Sequence, residues 1–262
     1  MQEGRGVKDR EMEDKPAPVS GTDRTQQAGE IDPRWWWVKP RIWTTRMLAA
    51  LENGVKGGKW FRLIDKVYDP KNLTTAMYEV IRNKGKPGVD RQTTEQFEAR
   101  HQEELEKLSL ELKSQSYRPY PVRRVWIAKL GSHEKRPLGI PAVRDRVVQG
   151  TLKAVIEPIF ERTFSEQSYG FRPGRGCQQA LERVEELLEA GYTWIVDADL
   201  KSYFDLIPHQ RLMNRVQEHI ADGKVLALIQ AFLTQGVMET MKGWEPTDQG
   251  TPQGAVMTPL TQ

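Results

Sequence analysis

The sequence predicts an α+β chain that is largely helical, with one basic β-hairpin and further short strands. Three observations carry this reading. Apolar residues recur at helical spacing through most of 60–234, as amphipathic helices require. Two β-prone runs, 120–128 and 136–142, flank the polar turn LGSHEK. The third is 194–205, WIVDADLKSYFD, whose apolar opening ends in carboxylates, the pattern of a buried strand ending at a cleft.

Taken in order, residues 1–33 are polar and nearly without large apolar side chains, so they are expected to be disordered. Trp35, Trp36 and Trp37 follow, with Trp43 and Trp60 nearby and Arg34, Lys39, Arg41 and Arg46 between them. Aromatics among cations can stack on bases or anchor an arm to a core; both readings stay open. Residues 60–82 read as two short helices broken near Pro70, and NKGKPGVDRQTT as a loop. Thr93 and Gln96 have capping-box spacing, and Phe97, His101, Leu105, Leu108 and Leu112 form one stripe, which predicts a helix over 94–115.

From Arg144 a wide apolar face, Val147 to Phe160, predicts a helix kinked at Pro158. SYGFRPGRGC reads as a loop and QQALERVEELLEAG as a helix with Ala180, Leu181, Val184, Leu187 and Leu188 inward. A strand is expected at 193–199. Helices follow Pro208 and span 223–234, and 236–250 reads as a second hairpin.

The formal net charge of +3 hides an uneven distribution. Residues 1–33 hold five Lys/Arg against eight Asp/Glu, a balance of −3. Residues 117–146 hold eight basic side chains against Glu134 and Asp145. That run is either a solvated face or a phosphate-binding one, since clustered Lys/Arg release counterions from a polyanion. The only cysteine, Cys177, excludes an internal disulfide, and the four histidines lack zinc-ligand spacing. No run of about 18 apolar residues suggests a membrane span, and the polar N-terminus lacks a secretory h-region. A cytoplasmic location is the expectation.

Asp197 and Asp199 would share one face of a strand, where like charges repel unless a cation or proton lies between them. Either a divalent ion sits there or both are solvated acids at a strand end.

Four motifs in one order narrow the choice. KGKPGVD (84–90), RPLGIPAVRDRVVQ (136–149) running on into EPIFERTFSEQSYGFRPGRGCQQAL (157–181), DADLKSYFD (197–205) and GTPQGAVMTPL (250–260) together resemble the reverse transcriptases encoded by group II introns. The resemblance covers roughly 60–260. It implies a right-hand polymerase fold: a disordered tail (1–33), an aromatic and basic extension (34–83), fingers (84–190) and part of a palm (191–262). It also implies RNA-directed DNA synthesis with two Mg²⁺ ions, an RNA template or intron RNA, a DNA primer and dNTPs.

Carried onto matching positions, Asp199 is the catalytic metal ligand, with the backbone carbonyl of Leu200 beside it, and Asp197 is demoted. Phe204 resembles the aromatic that closes against a ribose 2′-oxygen, with core packing as its other reading. The amides of Ser202 and Tyr203 would face the triphosphate. Lys129 and Arg136 resemble the triphosphate-gripping cations, and Gln253 the residue beside the nascent base pair. Arg123, Arg124, Arg172 and Arg175 are the expected RNA contacts.

The family's Y-A-D-D motif is not among the 262 residues, and TPLTQ (258–262) strays from S-P-L-L-A-N. The expectation is a truncated chain, inactive alone and aggregation-prone at an incomplete sheet. An RNA-binding remnant and a retron or CRISPR-associated reverse transcriptase are the alternatives.

Overall fold

The computed structural model describes residues 33–55, 57–128, 131, 135–200, 202–239 and 242–251. The tail expected to be disordered thus lies outside the described residues, Pro33 apart, as do Lys129 and Gln253. A 3₁₀ turn, Pro33–Trp35, leads into α1 (Thr45–Asn53), α2 (Ile64–Val67) and α3 (Pro70–Arg82). Next come α4 (Thr94–Ala99), α5 (His101–Lys113), β1 (Val122–Ala128), β2 (Lys135–Ile140) and α6 (Val143–Glu161). The order closes with α7 (Cys177–Glu189), α8 (Tyr203–Leu206), α9 (His209–His219), α10 (Gly223–Leu233), β3 (Val237–Glu239) and β4 (Gly243–Glu245).

One core runs from Trp35 to Leu233. Its axis is α6, which buries residues on every side, Val143, Val148, Leu152 and Ile156 among them. α3 packs against it at Gly150, where a β-carbon would sit 3.4 Å from that of Ala76. Pro158 lies inside α6 without ending it. Proline cannot donate to the carbonyl four residues back, and that carbonyl, Ala154 O, instead accepts from Trp43 Nε1 at 3.1 Å.

The same tryptophan packs edge-on against Trp60 at 5.1 Å, and Trp35 Nε1 donates to Glu52. Trp35 and Trp43 are therefore anchors, buried to within 2% of full coverage. Only Trp36 of these stands well out, 74% exposed. Trp43→Phe keeps an aromatic six-membered ring but removes the pyrrole N–H and orphans the Ala154 carbonyl. We expect it to lower unfolding free energy by about 2 kcal/mol, the desolvation cost of a buried unpaired acceptor, measured by urea denaturation.

The capping box forms as read: Gln96 N donates to Thr93 Oγ1, and Thr93 N to Gln96 Oε1. The expected single helix is broken at Arg100, so α4 and α5 are separate. Phe97, Leu105, Leu108 and Leu112 still face the core.

The two hairpins join in one sheet of order β2-β1-β3-β4. β1 pairs antiparallel with β2, placing Ile127 opposite Arg136. It pairs parallel with β3 through Val122 and Val237. β3 and β4 close an antiparallel turn.

Two expectations are corrected. Residues 193–199 form no strand, and Trp194 and Val196 are 96% and 93% exposed. A strand needs a neighbour for its backbone groups, and among the described residues none pairs with this run. α7 forms where expected but buries none of its residues: Leu181, Val184 and Leu188 of its apolar stripe stay exposed among the described residues.

Candidate active site

The motif DLKSYFD is shaped by a sharp backbone turn. Ser202 takes a left-handed conformation, φ 53°, and precedes the single turn of α8. Its carbonyl accepts from Asp205 N at 3.0 Å. This presents Tyr203 and Phe204, whose rings meet edge-on at 5.4 Å. Phe204 is half-buried, so neither pure core packing nor free projection describes it.

A second motif is clamped against the first. Thr251 N donates to Phe204 O at 2.7 Å and Gly250 N to Ile207 O at 2.8 Å. His209 Nε2, buried, donates to Gly250 O at 2.7 Å. Gly250 has φ +79°, and a β-carbon would lie 2.6 Å from Asp205 O, so only glycine fits this approach. The first residues of GTPQG thus reach Phe204 from about 50 positions away, a distance along the chain set by the residue numbers.

Asp197, Asp199 and Leu200 lie on the exposed run before this turn. Among the described residues no group of three or more His, Cys, Asp or Glu could hold a metal ion. Mg²⁺ demands near-octahedral oxygen coordination and usually one or two carboxylates with substrate phosphates. The described side chains alone do not fit a two-ion site. Beside the motif a cleft of about 590 Å³ is lined by Tyr203, Leu206, Phe164, Arg211 and His219.

The basic hairpin is built differently from its sequence reading. Arg123 gives Nε and Nη2 to the Pro87 carbonyl at 3.0 and 2.7 Å. Arg124 pairs with Glu245 at 3.2 Å and Glu239 at 3.6 Å. Both are expected RNA contacts, and in this structure both also fasten β1 to its neighbours. Arg136 stays exposed opposite Ile127.

Arg172 is likewise tied within the fold. Its side chain is 6% exposed and its Nη2 meets Glu161 at 2.7 Å, while Nη1 donates to the Ser165 and Ser168 carbonyls. Arg175 is half-buried, with Nη1 donating to the Glu166 carbonyl.

The KGKPGVD loop staples the hairpin to α6. Besides Arg123 at Pro87, Arg146 donates to Lys86 O at 3.0 Å. Gly88 lies so close to Ala142 that a β-carbon would sit 2.5 Å from its backbone. Sequence reasoning missed the polar centre behind this staple. Asp145, fully buried, accepts from Tyr117 Oη at 2.6 Å and Tyr120 N at 2.9 Å. Arg144 lies over both tyrosine rings at 5.2 and 5.1 Å and reaches Glu111 on α5. Burial pushes the Asp145 carboxyl up to about 6 despite the hydrogen bonds from Tyr117 and Tyr120. Burial, then the Asp145 charge, pushes the Tyr117 phenol well above its ordinary value, so it remains a donor.

Residues 127–262 match the model of the reverse transcriptase (RNA-dependent DNA polymerase) family. Protein YkfC of Escherichia coli K12 is 38% identical over 205 residues, 76% of this chain and 53% of that protein. Group II intron-encoded protein LtrA of Lactococcus lactis subsp. cremoris is 36% identical over 201 residues, 76% of this chain and 33% of that protein. The chain therefore spans about half or a third of these relatives. A chain of a partial Cas6-RT-Cas1–Cas2 complex superposes with a TM-score of 0.51 at 20% identity, covering 76% of this chain and 33% of that one, a likeness of fold alone. No helix among the described residues is long and apolar enough to cross a membrane. With its family motifs folded against one another at Phe204, this chain belongs to the reverse transcriptase (RNA-dependent DNA polymerase) family, beside the group II intron-encoded proteins.

Proposed function

We propose that the chain supplies the template- and nucleotide-binding part of an RNA-directed DNA polymerase of the group II intron type. The clamp of Gly250 and Thr251 onto the α8 motif carries this reading. It joins Thr251, which opens the TPQG motif, to the backbone of Phe204; Phe204 is assigned to the ribose and Gln253, two residues after Thr251, to the nascent base pair. A half-buried ring with one fixed face disfavours a 2′-hydroxyl by bulk, which selects dNTPs. Ser202 and Tyr203 offer their amides to the triphosphate, and Lys129 and Arg136 add charge from the hairpin, Arg as a bidentate partner and Lys as a point charge.

The family uses divalent metal ions. Asp199, with the carbonyl of Leu200, is assigned to the Mg²⁺ pair of the complete enzyme, which needs further carboxylates. RNA template, intron RNA and a DNA primer are the assigned partners, with Arg123, Arg124, Arg172 and Arg175 the cations assigned to RNA. Fingers over 84–190 and palm from 191 are the matching domain assignment.

A second reading, RNA binding without synthesis, is favoured by one observation: Asp197 and Asp199 are exposed with no metal-holding cluster among the described residues. Incorporation of dTTP on poly(rA) with an oligo(dT) primer and Mg²⁺, by the chain joined after residue 262 to a Y-A-D-D palm segment that supplies the further carboxylates, separates the two. Product that Asp199→Ala abolishes supports synthesis; RNA binding with no Asp199-dependent product supports the second.

Both readings predict RNA affinity that falls with salt. Single-stranded RNA measured by fluorescence anisotropy should give a log–log slope of roughly −0.7 per phosphate contact. Salt-independent affinity rejects the cationic surface as the RNA site.

A further inference from the structure

We propose that the loop 170–176 carries a stacking site for an unpaired base of single-stranded nucleic acid, with Phe171 as the platform and Trp36 against the same loop at Gly174. This rests on the template-binding reading and adds a specific subsite to it.

Phe171 combines two costly features. It is 72% exposed, and its φ of +53° lies in the left-handed region, which crowds any residue bearing a β-carbon. The preceding residue is Gly170, which could adopt such a backbone without crowding, yet the turn falls on the phenylalanine. Strained, exposed positions of this kind persist only where the surroundings determine them strongly, and they gather at binding sites.

Here the surroundings are Arg172. Its guanidinium donates from Nε and Nη2 to Glu161 at 3.0 and 2.7 Å. It also donates to the Ser168 carbonyl at 2.9 Å and lies over the Phe164 ring at 5.5 Å. The side chain that sinks inward thus fixes the loop, and its neighbour is held out into water. Holding that ring in place before contact lowers the ordering cost of stacking.

Trp36 supplies the independent second observation. It is 74% exposed between the buried Trp35 and the half-buried Trp37. Its indole Cζ2 lies 3.8 Å from where a β-carbon of Gly174 would stand, so the indole lies against the same loop. The loop sequence GFRPGRG has no acid and no Leu, Ile or Val, and with Arg172 turned inward its outer cation is the half-buried Arg175. Exposed aromatic faces with cations and without aliphatics suit bases on a phosphate chain better than a protein partner's apolar face.

The test uses the whole chain with fluorescein-labelled oligo(rU) and an abasic strand of the same length. Phe171→Ala should weaken oligo(rU) binding roughly tenfold, the effect of one lost base stack. Abasic affinity and the salt slope should not move. Phe171→Trp should restore oligo(rU) binding. Unchanged oligo(rU) affinity in Phe171→Ala, or an equal loss on both strands, overturns the stacking site and leaves template binding standing. Absence of salt-dependent binding by the unaltered chain overturns both.

Discussion

Asp222→Ala is expected to lower the unfolding free energy by about 4 kcal/mol, far more than loss of an ordinary helix cap. Asp222 precedes α10, and its Oδ1 accepts from Lys224 N and Val225 N at 3.0 and 3.2 Å. Its Oδ2 accepts from Leu63 N and Ile64 N at 2.6 and 3.0 Å. One buried carboxylate thus satisfies amides at the starts of α10 and α2. A cap alone contributes typically about 1 kcal/mol, and each buried amide left unpaired costs about 1–3 kcal/mol. Asp69 is the internal comparison. It caps α3 through Lys71 N and Asn72 N at a more exposed site, so Asp69→Ala should cost about 1 kcal/mol. Paired urea titrations followed by circular dichroism decide the matter; equal losses for the two variants would sink the claim that Asp222 joins two helices.

The second large effect is a pH dependence centred on Asp145. Its carboxyl titrates at about 6 in the fold against an ordinary value of 3.8, chiefly because burial disfavours the charge. A raised carboxyl binds its proton more tightly in the folded chain than in the unfolded one. Its contribution to stability is therefore present at low pH and is lost as pH rises through about 4 to 6. Two units of difference correspond to about 3 kcal/mol. Other carboxylates titrate in the same window, so the observable is the difference between the unaltered chain and Asp145→Asn. Relative to the asparagine variant, the unaltered chain should lose about 3 kcal/mol between about pH 4 and about pH 7. Asparagine keeps one acceptor, Oδ1, for the Tyr117 hydroxyl and sets Nδ2 against Tyr120 N, a cost that does not change with pH and so drops out of the comparison. A difference that stays flat across that range would mean that the buried charge is compensated by Arg144.

What could be read from the sequence was what lies close in it. The Thr93 and Gln96 capping box spans three positions, and it formed. Asp222 stands in a recognisable cap position before an apolar helix, yet nothing local announces its second bond pair at Leu63 and Ile64. Arg123, Arg124 and Arg172 look alike as charges in a basic stretch. Their acceptors at Pro87, Glu245 and Glu161 come from elsewhere, and those acceptors decide that they fasten the fold. The run at 193–199 failed for a related reason: β-prone residues supply a strand's side chains, and its identity as a strand comes from a neighbour. At the site, the motifs were legible one by one. Their contact through His209, Gly250 and Phe204 was not, since a histidine in the first turn of a helix carries no sign that it will hold a glycine carbonyl 41 positions on.

The parallel pairing of Val122 with Val237 has a consequence for how the chain is made. The β1–β2 hairpin joins residues near in sequence and can close as soon as Ile140 is available. Its neighbour across the sheet lies 115 positions later, from 122 to 237. Closing so wide a loop is slow, because entropy is surrendered before any contact repays it. During synthesis one edge of a finished hairpin therefore stays open while α6 to α10 emerge. The bond of Trp60 N to His219 O and the helix-joining Asp222 share that delay. The first and last parts of the fold lock together late, and a chaperone that shields the hairpin edge through that interval would raise the yield of native chain.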